Sequence, residues 1–158
     1  MNTRQVRLGE TLEAIAGPLG RLGRSLREDG DAILKADEDK SGHDLLATDA
    51  FLQRFQQLTD LTLRNLFPRL LGALEGSDMR HPLGAMLDRL DGYEILADVP
   101  WWLALNDLRN RLIHEYAMSV DERAEEMARA WQSALRLRDE LIRIKEDRDV
   151  VGRLFRHD

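Results

Sequence analysis

No cysteine occurs among the 158 residues. That excludes disulfides, thiolate zinc sites, iron–sulfur clusters and cysteine nucleophiles together, and it suits a reducing compartment. Metal-ligand spacing is equally scarce. The four histidines, His43, His81, His114 and His157, are scattered, and no H-E-x-x-H occurs. Neither a metal site nor a cofactor is expected, and the acidic run Asp37-Glu38-Asp39 reads as a solvated connection. Phosphate-cradling glycine loops are missing too, because Gly17, Gly20 and Gly23 fall among helix residues with no strand before them. No apolar run reaches the roughly 18 residues of a membrane span, and the opening MNTRQVRLGE lacks the apolar stretch of a signal peptide. The expectation is a cytoplasmic protein that does not enter the membrane.

What is present fits one globular domain of 18.2 kDa, 43% hydrophobic and 33% charged. The 23 basic and 29 acidic residues leave a net charge of −6. Such a chain has no long-range attraction for nucleic acid, so any contact of that kind must rest on a local basic site. Nearly all the basic residues are arginine, the lysines being Lys35, Lys40 and Lys145.

Helical periodicity dominates and no strand stands out. Leu8, Leu12, Ile15, Leu19, Leu22 and Leu26 alternate four and three apart, with Ile33 one heptad further, which predicts a seam helix over residues 1–36. Gly17-Pro18 interrupts that seam and predicts a kink or a split. The seam serves either as bundle core or as a surface for a partner helix. A second helix is expected from about Asp44 to Leu74, with Phe51, Leu52, Phe55, Leu58, Leu66, Leu70 and Leu74 on or near one face. Pro68 marks a kink in it, and Gly76 suits a left-handed cap. A short helix follows from Pro82 to Leu90. A motif helix over 100–118 starts near Asp98, and Ser119-x-x-Glu122 is a capping box that opens a long last helix over 120–148. The fold class is all-α, a single-domain antiparallel bundle of four to five main helices over residues 1–158.

The chemistry concentrates in the motif helix, Trp101 to Tyr116. At about 100° per residue, Leu105, Leu108, Leu112, Ile113 and Tyr116 share one apolar arc. Arg109 falls inside it, and Asn110 and His114, four apart, share its edge. An unpaired arginine on a core-facing stripe costs several kcal/mol, at roughly the scale of a buried charge after relaxation. Arg109 therefore requires water, a ligand, or a partner from another helix or another chain. The plainer reading is an arginine that snorkels and a histidine that hydrogen-bonds at the surface.

Arg109-Asn110-Arg111-Leu112-Ile113-His114-Glu115-Tyr116 resembles the R-X4–6-H-x-Y signature of the HEPN superfamily, with asparagine directly after the arginine. The continuation Ala117 to Asp121 is similar to the HepT-type toxins of MNT/HEPN toxin–antitoxin pairs. The resemblance covers roughly Trp101 to Asp121; elsewhere only the helical layout agrees, and the Gly-Pro break in the seam departs from the plainest members. It implies a HEPN-like bundle and a metal-independent endoribonuclease toxin, active as a homodimer whose two motifs meet in a cleft. Its partners would be RNA and a nucleotidyltransferase antitoxin of the MNT type. In that frame the RNA 2′-hydroxyl is the nucleophile. His114 serves as general base or acid, Arg109 clamps the phosphate, and Asn110 orients the His114 ring or the phosphate. Tyr116 shapes the cleft and is the candidate for modification by AMP, and Arg111 is assigned to RNA contact away from the chemistry. The alternative is a non-catalytic helical substrate-binding or scaffold partner of a nucleotidyltransferase. An antitoxin or DNA-binding regulator is a weaker reading, since no basic recognition helix stands out.

Overall fold

In a computed structural model, residues 2–114, 119–147 and 152 are described, and all regular structure among them is helical. Asn2 opens the first helix with a capping box. The Gln5 N–H donates to Asn2 Oδ1 at 2.9 Å while the Asn2 N–H donates to Gln5 Oε1 at 3.0 Å. This helix, α1, spans Thr3–Ala14 and gives way at Ile15 to α2, Ala16–Glu28. Pro18 accounts for the position of the break: it offers no N–H to the Ala14 carbonyl, and its ring crowds that oxygen. A third segment, α3, covers Gly30–Leu34. The seam predicted as one helix over 1–36 is thus three consecutive helices. It is also core: Leu8, Ile15, Leu22, Leu26 and Ile33 are all buried. Its role as an open partner surface is removed.

Asp37–Asp39 form one turn of 3-10 helix, and Ser41 then caps α4, Gly42–Leu61. The acidic run is tied down more firmly than a solvated connection. Asp37 faces Lys40 at 3.2 Å and Arg123 at 2.6 Å. Burial opposes ionisation of Asp37, yet those two cations hold its carboxyl below the usual carboxylate range. Helix α4 continues through a π-helical turn, Thr62–Leu66, into α5, Phe67–Glu75. One extra residue per turn displaces the carbonyl that Pro68 would strike in a regular helix, so the proline is accommodated by widening rather than by a stop. Gly76 ends α5 at φ 64°, the left-handed conformation that its lack of a side chain permits.

The remaining helices are α6 (Leu83–Gly92), α7 (Val99–Ile113) and α8 (Val120–Glu146), the last opened by the Ser119–Glu122 capping box. Helix α1 packs on α5 and α2 on α4, so the N-terminal run lies antiparallel to the α4–α5 rod. Helices α7 and α8 form an antiparallel hairpin. Arg111 bonds Glu126, Arg136 bonds Asp98, and Arg143 bonds the Ile95 carbonyl. The α4–α5 rod crosses α7 antiparallel too, with Phe67 edge-on to Trp102 at 5.0 Å. Trp102 is fully buried and donates its indole N–H to the Ala97 carbonyl at 3.1 Å. Arg136 covers the adjoining Trp101 ring at 4.3 Å. On the other side Phe51 meets Trp131, and Gly30 lets α3 approach the same indole, since a Cβ there would stand 3.2 Å from the ring. One cluster of apolar side chains joins these elements.

The α4 cap carries a pH dependence. Asp44 accepts from Lys35 Nζ at 3.0 Å and from the Ser41 N–H at 3.0 Å, and these bonds lower its pKa to about 2. A carboxyl that ionises more readily folded than unfolded stabilises the fold above its unfolded pKa of about 4 and ceases to do so as pH falls toward the folded value. Asp44→Asn should therefore flatten the decline of the urea midpoint between about pH 4 and pH 2. Parallel profiles for the two proteins would show that the cap is not the titrating element.

Candidate functional site

Arg109 lies on the side of α7 that faces α4, as its position in the apolar arc requires. Its side chain keeps 15% of its exposure. The partner that the charge demands is Asp60, in the last turn of α4. Arg109 Nη2 donates to Asp60 Oδ2 at 2.6 Å, and Nη1 donates to Asn110 Oδ1 at 3.3 Å. The Arg109 Nε is buried and has no hydrogen-bond partner among the described residues. Asp60, one-third exposed, also faces Arg64 of the π turn at 3.8 Å. The carboxylate is a bridge between two guanidinium groups, and it engages one of the five donors of Arg109.

His114 follows Ile113 outside the helix. It has φ −105° and ψ 34°, and its N–H bonds to the Arg111 carbonyl at 3.1 Å, a tighter closure than the helical one. The side chain is exposed. The motif helix predicted over 100–118 ends at Ile113, and the fourfold spacing of Asn110 and His114 no longer fixes their common face. Tyr116, with Glu115, Ala117 and Met118, lies outside the described residues.

Arg111 is placed away from Arg109, as its angle on the helix predicts, but it is not free. It forks onto Glu126 of α8 at 3.1 and 3.3 Å, and this buried carboxylate also accepts from Arg129 at 3.0 Å. Its structural duty is to tie α7 to α8 next to the motif.

A second basic feature adjoins Arg109. Arg64 and Asn106 line a cavity of about 810 Å³, and Asn106 sits one turn before Arg109 and Asn110 on α7. Its other basic residues are Arg4, Arg7, Arg69, Arg80 and His81. The residues 4, 7, 64, 69 and 80 form no basic run in the chain, so no local pattern announces them. The short spacing of Arg4 and Arg7 on one helix was the only nearby signal. Asp60, Glu126 and Asn106 were equally missed, being separated from their partners by whole helices. Among the described residues no three histidine, aspartate or glutamate side chains group closely enough to hold a metal ion, and no helix is long and apolar enough to cross a membrane.

No protein-family model, curated protein or solved structure matches the chain.

The two cations of Asp60 differ in how much they need it. Arg109 is largely covered, whereas Arg64 is mostly in water and its contact is longer. Removing the carboxylate by Asp60→Asn should destabilise the fold by about 1–2 kcal/mol, because a covered guanidinium then lacks its counter-charge. Arg64→Gln should change stability by less than about 0.5 kcal/mol. Equal urea midpoints for Asp60→Asn and wild type would refute the role given to this pair.

Proposed function

We propose that this chain is a HEPN-type endoribonuclease, the toxin of a HepT-like pair, which cleaves RNA by attack of the 2′-hydroxyl without a metal ion. The observation that carries the reading is the junction at Asp60. The motif arginine reaches it from one side and the cationic cavity from the other, so a phosphate at Arg109 continues into a basic surface. In an acidic chain this supplies the local site that nucleic-acid contact demands.

The roles follow from the groups. Arg109 keeps a permanent charge and has donors beyond the one Asp60 takes, so it stabilises the pentacovalent phosphorane. His114, exposed just beyond α7, moves the proton of the 2′-hydroxyl or of the leaving 5′-oxygen. Asn110 accepts from the Arg109 guanidinium through its side-chain oxygen. The product of this chemistry is a 2′,3′-cyclic phosphate. A second copy of the chain completes the cleft, and a nucleotidyltransferase of the MNT type neutralises it, with Tyr116 as the acceptor of AMP. A bulky anion there repels the RNA phosphate.

The pairing of Arg109 with Asp60 and of Arg111 with Glu126 favours a second reading. Both arginines have a counter-charge within the chain, as suits a non-catalytic partner of a nucleotidyltransferase. Induced expression separates the two. The ribonuclease reading expects growth arrest that Arg109→Ala and His114→Ala each relieve by loss of cutting, at least about 100-fold in rate for the histidine. It also expects full activity in EDTA and none on a substrate deoxy-substituted at the cleaved nucleotide. Undiminished cutting by either variant, or by wild type on the deoxy substrate, would overturn it. Absence of any cutting by the folded wild-type protein would leave the scaffold reading in place.

A further inference from the structure

The cavity between α1, the π turn with α5, and the loop that leads into α6 has a composition at odds with the chain. Five arginines, Arg4, Arg7, Arg64, Arg69 and Arg80, line it in a protein whose net charge is −6, and the lining holds one carboxylate, Asp78. Asp78 is already committed, since Arg4 forks onto it at 2.9 and 3.2 Å. Arg69 is held by the Thr11 hydroxyl, a neutral partner. Arg7 and Arg80 are exposed and make no ion pair with any described residue. Like charges gathered in one concavity repel one another, and their field is focused by the low-dielectric walls. An anion that enters the concavity relieves that repulsion.

The shape of the wall narrows the anion. Arg64 and Asn65 come from the π turn, Thr62–Leu66, so the extra residue that accommodates Pro68 also turns these two side chains toward the cavity. Guanidinium forks match phosphate oxygens in pairs. Leu63, Leu71 and Met86 provide an apolar floor between the arginines. Several phosphate-binding forks around an apolar floor suit a ligand with two or more phosphates and a flat ring system. About 810 Å³ accommodates a nucleotide or a short single-stranded segment.

We propose that this cavity is a phosphate-binding site for a nucleotide ligand, with Arg7, Arg69 and Arg80 as the principal contacts. The phosphates belong either to successive linkages of a single strand or to the chain of a free nucleotide. The site stands on the cavity's own charges and does not depend on the ribonuclease reading.

Binding is measured by anisotropy with a fluorescein-labelled 2′-O-methyl oligoribonucleotide, and ATP serves as the second probe. The 2′-O-methyl strand lacks the nucleophile, so a change in its binding reports on the cavity, whereas loss of cutting reports on Arg109 and His114. Arg7→Glu/Arg80→Glu should weaken oligonucleotide binding at least tenfold and reduce the salt slope by about 0.7 for each phosphate that is no longer neutralised. Arg7→Lys/Arg80→Lys, which keeps the charge, should retain most of the affinity. Arg24→Glu/Lys145→Glu makes the same change of charge elsewhere on the surface and should stay within twofold of wild type. Tight ATP binding lost in Arg7→Glu/Arg80→Glu, with weak oligonucleotide binding, assigns the site to free nucleotides. Equal losses in the two charge-matched double variants would overturn the proposal, as would failure of both probes to bind the folded wild-type protein at low salt.

Discussion

A guanidinium placed on the apolar side of a helix sets the terms for the centre of this molecule. Arg109 must enter the α4–α7 contact because the arc of α7 to which it belongs faces that way, and it can do so only beside Asp60. Seven residues further along the rod, Phe67 meets Trp102, seven residues before Arg109 on α7. The crossing is thus pinned at one end by a charge pair and at the other by an aromatic pair, and the π turn lies between them. That turn changes the register of the rod between the two pins. It leaves Leu63, Leu66 and Phe67 in the core and Arg64 and Asn65 at the cavity wall.

The same economy of charge runs through the rest of the fold. Three buried or partly buried carboxylates each collect two cations: Asp37 takes Lys40 and Arg123, Glu126 takes Arg111 and Arg129, and Asp60 takes Arg109 and Arg64. Each of these sites joins elements distant in sequence, so the ion pairs select which helices meet, while the apolar cluster supplies most of the stabilisation. The cavity breaks the pattern. There the cations outnumber the acids, although acids exceed bases in the whole chain.

Periodic features were legible because they are local. The leucine seam, the faces of α4 and α7, the Gly76 cap and the Ser119–Glu122 box each depend on residues within a turn or two of one another. Pro18 and Pro68 look equivalent as helix interruptions, yet one splits a helix and the other is absorbed by a π turn. The difference is tertiary: α4 and α5 are held in line by α1 on one side and α7 on the other. His114 shows the opposite limit. Helical spacing from Asn110 assumed that α7 continues, and no glycine or proline in the motif marks its end at Ile113. The need for a partner to Arg109 was readable, but its identity was not, because Asp60 sits 49 positions away.

Asp60 gives the motif and the cavity a common electrostatic element. With one carboxylate between two guanidinium groups, neutralisation of Arg109 is incomplete in any arrangement in which Arg64 takes its share. The contacts of 2.6 and 3.8 Å show how the carboxylate is divided between them. An anion that engages Arg64 from the cavity side relieves that competition and leaves Asp60 more fully to Arg109. An anion that reaches Arg109 itself does the reverse and releases Asp60 toward Arg64. Were anions to bind at both places, each would change the charge felt at the other through this one side chain. The exposure of Asp60 is one-third, so water screens this coupling in part, and its strength falls as salt is added.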